Sequence, residues 1–67
     1  MNSYYINKVK TDGRYNEIHI STCPYKPTVN AVYLGLFNTY SEAKSKAISL
    51  GYNPDGCGHC IPRGHNG

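Results

Sequence analysis

Two of the three cysteines and two of the three histidines fall in the stretch GCGHCIPRGHNG, residues 56 to 67. The remaining two, His19 and Cys23, form an H-x3-C pair far upstream. Thiolate sulfur and imidazole nitrogen are the donors that Zn2+ favours, in fours, often offered as two close pairs from separate turns. His19 and Cys23 with Cys57 and Cys60 meet that count and use every cysteine. His65 is the alternative fourth ligand, because Cys57, Cys60 and His65 have C-x2-C-x4-H spacing. His19 is preferred, since a ligand anchored on a strand is better positioned than one in a tail. A Cys3His shell fills all four positions with protein, so the role expected of Zn2+ is structural rather than catalytic.

Two other chemistries use the same letters. Cys57-Gly58-His59-Cys60 is identical to the active-site motif of protein disulfide isomerases, which would make the chain a thiol–disulfide oxidoreductase. Such a site needs its first cysteine at a helix N-terminus, where the dipole lowers the thiol pKa, and Pro62 and Gly64 prevent a long helix from starting there. The Cys57, Cys60 and His65 spacing is also similar to retroviral-type zinc knuckles. Their last cysteine has no counterpart here unless Cys23 supplies it, and the unit is then no longer local. His59, inside the C-x2-C turn, is expected to point outward or to hydrogen-bond a ligand sulfur. No spaced carboxylate pair, glycine-rich phosphate loop after a strand, or Ser-His-Asp set in a convincing context is present.

These ligands must be positioned by few elements. YYINKV at 4–9 and YNEIHI at 15–20 flank TDGR, whose Asp12-Gly13 is a turn signal, and predict a β-hairpin. In its second arm Tyr15, Glu17 and His19 share one face while Asn16, Ile18 and Ile20 share the other. The loop STCPYKPTVN carries Cys23 between a strand end and two prolines. AVYLGLF at 31–37 predicts a short buried strand. Thr39 and Glu42 fit a capping box, and Tyr40, Ala43, Ala47 and Leu50 align on one face of a helix over 40–50, stopped by Gly51. Tyr52-Asn53-Pro54-Asp55-Gly56 is turn chemistry leading into Cys57. The expectation is a small zinc-stabilised α+β domain spanning residues 1–67, with an N-terminal hairpin, a third strand, one helix and a C-terminal CxxC turn.

From residue 18 to 62 that order of parts resembles the Ada-type metal-binding domain, named for the N-terminal domain of a bacterial methylphosphotriester DNA repair protein. The matching segments are His19 to Cys23, Glu42-Ala43, Gly51-Tyr52, Pro54 and Cys57 to Cys60. The resemblance implies a small zinc module. In the repair protein the first ligand is a cysteine thiolate that accepts a methyl group from DNA phosphate; His19 holds that place here and has no thiolate, so repair activity is not carried over. Asp55-Gly56 also lengthens the run from proline into cysteine.

Composition agrees with a need for metal. A chain of 67 residues, 39% of them hydrophobic, with no Trp and seven Tyr, builds a thin core. Chains this small normally add a disulfide, a metal or a partner. Three cysteines cannot all pair, MNSYYINKVK lacks a signal-peptide apolar run, and no stretch is long enough to span a membrane. A cytoplasmic location and no membrane association are therefore expected. The net charge of +3 is spread over Lys8, Lys10, Arg14, Lys26, Lys44, Lys46 and Arg63. The function expected is a non-enzymatic module that binds a macromolecule through Lys8, Lys10, Arg14, Tyr15 and Tyr25. A protein partner comes first, as for an adaptor or a phage-type inhibitor, and DNA or RNA is the alternative.

Overall fold

In a computed structural model that describes residues 1–10 and 13–61, the chain forms four strands and one helix. They are β1 (Asn2–Asn7), β2 (Asn16–Ile20), β3 (Ala31–Phe37), α1 (Tyr40–Ser49) and β4 (Pro54–Gly56). The sheet runs β3-β1-β2-β4, with β1 antiparallel to both β2 and β3, and β4 parallel to β2. The α+β class expected from the sequence is what forms.

Helix α1 starts and stops by the local chemistry its sequence carries. The Thr39 hydroxyl accepts from the Glu42 N–H at 3.3 Å, and the Glu42 carboxylate accepts from the Thr39 and Asn38 N–H groups at 3.1 Å each. At the other end the Gly51 N–H donates to the Ile48 carbonyl and the Tyr52 N–H to the Ala47 carbonyl. That paired closure requires a left-handed residue, which Gly51 supplies at φ +90. Ala43 and Ala47 are fully buried, and their small side chains seat the helix against the sheet. Leu50, expected on the buried face, is instead half exposed, because it is the C-cap and turns away where the helix ends.

The hairpin pairs Tyr4 with Ile20, Tyr5 with His19 and Ile6 with Ile18. Its first arm lies two residues earlier than the expected 4–9. Val9 is lost to a local turn in which its N–H donates to Asn7 Oδ1 at 3.0 Å, and the Asn16 side-chain amide donates to the carbonyls of Asn7 and Lys8. Of the expected turn pair, Asp12 lies outside the described residues, while Gly13 has φ +70. β3 carries a bulge opposite Tyr4 and Tyr5, with Gly35 at φ +140. A Cβ there would sit 3.0 Å from the Phe37 ring, so both the backbone angle and the ring require glycine.

Residues 54–56, expected as part of a turn, are an edge strand. Asn16 makes them one: its N–H donates to the Asn53 carbonyl at 2.8 Å and its Oδ1 accepts the Asn53 N–H at 3.1 Å. Pro54 is the first residue of an edge strand, where a missing N–H is tolerated. The core under the helix is Tyr4, Ile6, Ile18, Leu34, Ala43, Ala47 and Ile61, with Cys60 packed on its margin. Of these, only Ile6 and Ile18 are large side chains with essentially no exposure. No described helix is long and apolar enough to cross a membrane.

Candidate metal centre

β2 and β4 lie side by side, and each is followed by a turn that carries cysteine. His19 sits near the end of β2. The chain then turns, with the Ser21 N–H donating to the Ser3 carbonyl and the Cys23 N–H to the Ile20 carbonyl. Cys57 continues from β4, its N–H donating to the Ile18 carbonyl at 3.0 Å. The chain then loops so that the Ile61 N–H reaches the Cys57 carbonyl at 2.8 Å, which brings Cys60 back beside Cys57.

The result is one cluster. The ligand atoms of His19, Cys23, Cys57 and Cys60 all lie within 4.8 Å of one another and could hold a metal ion. Cys23 Sγ and Cys57 Sγ are 3.9 Å apart. Two sulfurs bound at 2.3 Å in a tetrahedron would be about 3.8 Å apart, so this spacing suits a shared ion. All three cysteines are free thiols.

His19 has the protonation state of a ligand, whereas Cys60 must lose its proton to become one. His19 is 2% exposed, and its Nδ1 is buried with no hydrogen-bond partner. Its Nε2 lies 3.6 Å from Glu17 Oε1, two residues back on the same strand face. Burial holds the imidazole below its ordinary 6.5; Glu17 pulls it up and Lys26 pushes it further down. His19 is therefore neutral at pH 7, the form that binds metal. In the absence of a cation the Cys60 thiol is pushed up to about 12, mainly by burial, with the Cys23 and Cys57 thiols adding to the effect and the Ile20 backbone N–H opposing it. A bound divalent cation reverses that balance, because it stabilises thiolate directly. The His59 N–H also points at Cys57 Sγ, at 3.4 Å. Donors of this kind lower the charge that three thiolates would concentrate here.

The other expected site residues divide between the two ends of β2. Cys23 follows the end of the strand, whereas Lys8, Lys10 and Arg14 lie in the connection that precedes it, about 16 Å away along the strand. All three cations are exposed, and the Arg14 guanidinium lies 6.0 Å from the centre of the half-buried Tyr15 ring. Tyr25, 66% exposed, is at the cluster end, where its ring meets the His59 ring edge-on at 4.8 Å. The His59 side chain is thus outside the cluster. His65 lies outside the described residues. A helix N-terminus of the kind a disulfide isomerase site uses is not found at Cys57, which instead follows a strand and is 5% exposed. Reading the sequence for ligands alone overlooks Glu17 and Lys26; the period-2 relation of Glu17 to His19 is the signal for the first.

No family model, curated protein or solved structure matches the chain.

Proposed function

We propose that the chain is a non-enzymatic module whose fold depends on Zn2+ held by His19, Cys23, Cys57 and Cys60, and which presents a macromolecule-binding surface. The observation that carries the metal assignment is the buried, unpartnered Nδ1 of His19 in a cluster of three thiols. A buried acceptor left empty costs about 1–3 kcal/mol, and a cation is the partner this donor set suits. Three sulfurs and one nitrogen favour Zn2+ over hard cations, which take oxygen. The same four residues occupy the positions implied by the Ada-type resemblance, with His19 in the place of the methyl-accepting thiolate.

Native mass spectrometry with and without chelator tests this reading. One Zn2+ per chain is expected, lost together with the folded charge-state distribution. A folded chain of apo mass purified from zinc-containing medium would contradict it.

For the partner, the side chains offer two readings. Exposed Leu36, Val29 and Tyr25 suit a protein. Cations resting on tyrosine rings, Lys26 on Tyr5 and Arg14 on Tyr15, are the specific observation for nucleic acid.

A further inference from the structure

The helix covers one face of the sheet. On the other face, strand alternation and register place Ser3 and Tyr5 of β1, Tyr33 and Leu36 of β3, and Tyr15, Glu17 and His19 around β2. His19 is buried there, whereas Tyr33 is 54% exposed and Tyr5 is partly exposed. The Tyr5 and Tyr33 rings meet at 5.3 Å, tilted by 53°. Lys26 Nζ lies 4.6 Å above the Tyr5 ring. Arg14 on Tyr15 lies toward the hairpin end, and Tyr25 with His59 toward the metal end.

We infer that this open face binds single-stranded nucleic acid, with Tyr33 and Tyr5 as the stacking platform and Lys26, Arg14, Lys8 and Lys10 as phosphate contacts. The inference rests on the second partner reading and does not require the metal to be zinc. Charge decides the class of partner. Of the chain's four acids, Glu17 is turned to His19, Glu42 is bound in the α1 cap and Asp55 is 2% exposed. Asp12 lies outside the described residues. Glu17 is the described acid on this face, while Lys26 lies on it over Tyr5 and Lys8, Lys10 and Arg14 are exposed in the connection at its hairpin end, so cations outnumber acids there, which suits a polyanion. Exposed rings that carry a cation at their face or edge suit bases between phosphates, because every base has a π-face and every linkage has a charge. A duplex would keep its bases stacked inside and unavailable to these rings.

Fluorescence anisotropy of labelled single-stranded oligonucleotides, titrated with the metal-loaded chain over a range of salt, tests the proposal. If all four cations meet phosphates, the logarithm of the association constant should fall with the logarithm of salt with a slope of about −3. Lys26→Gln should reduce that slope by about 0.7. Tyr33→Ala should weaken binding by about 5- to 150-fold, the range for losing one stacked base, with the circular dichroism spectrum unchanged. Lys46→Gln, on the helix, should have no effect. Three results would each overturn the proposal: no binding at low salt, binding indifferent to Tyr33→Ala, or equal loss in Lys46→Gln. Preference for a duplex of the same sequence would do so too, as would a chain that binds a protein partner through Tyr33 while ignoring oligonucleotides. Native mass spectrometry separates these failures from failure of the metal assignment.

Discussion

Removing the metal should unfold the chain, and the size of the effect can be worked from the core. A domain of this length holds a net stability of roughly 3–10 kcal/mol, from about 0.05–0.15 kcal/mol per residue. Structural zinc sites of this ligand class contribute apparent binding free energies of about 10–16 kcal/mol near neutral pH. The core offers little to make up the difference, since Ile6 and Ile18 are its only large side chains with essentially no exposure. Ile61, another core member, immediately follows Cys60 and loses its anchor when that turn is released. The metal-free state also keeps the unpartnered His19 Nδ1, at about 1–3 kcal/mol. Loss of the ion therefore exceeds the whole net stability. The assay is near-UV circular dichroism of the tyrosines during chelator titration, with metal content followed by mass spectrometry. The signal of Tyr4, packed against Phe37, and of Tyr5, packed against Tyr33, should vanish in step with metal release. A metal-free chain with an unchanged tyrosine spectrum would refute the reasoning.

Three further outcomes are expected. Without metal, residual structure should be favoured between about pH 6.5 and 9, the ordinary values of the two groups involved. The lowered His19 pKa gives stability that is present above 6.5 and lost as pH falls through the lower folded value, and the raised Cys60 pKa gives stability that is present below 9 and lost as pH rises toward about 12. A chelator-free titration of helix content would show a slope of the wrong sign on either side if this were mistaken. Glu17→Ala should weaken metal binding by about 10- to 100-fold in competition with a chelator, because the carboxylate lies beside Nε2 and leaves the buried, unpartnered Nδ1 as the nitrogen for the ion; unchanged affinity would mean that Glu17 does not orient His19. Asn16→Ala should cost about 2–3 kcal/mol in urea unfolding of the metal-loaded chain, since it strips partners from the Asn7, Lys8 and Asn53 backbone groups.

What the sequence made legible was chemistry that is local or that only a few residue types can perform. Thr39 and Glu42 announce the start of α1 because a capping box is complete within four residues. His19, Cys23, Cys57 and Cys60 could be selected together because the donor set for a soft metal is small and the chain holds few alternatives. β4 was hidden for the opposite reason. Asn53-Pro54-Asp55-Gly56 has strong turn chemistry of its own, and what makes residues 54–56 a strand is the side chain and backbone of Asn16, distant in sequence. Leu50 was misplaced because helical periodicity does not show where the cap turns away. The split of Lys8, Lys10, Arg14 and Tyr15 from Tyr25 depends on the direction in which β2 runs between them, which residue types do not encode.

One pair of cluster residues precedes β3 and the other follows β4, so β3, α1 and β4 all lie on the segment strung between them. A cut anywhere along that segment leaves two pieces that each own only half the donors. A metal ion held by all four would therefore close a loop of chain around β3, α1 and β4, and neither piece of a cut chain could complete its shell alone.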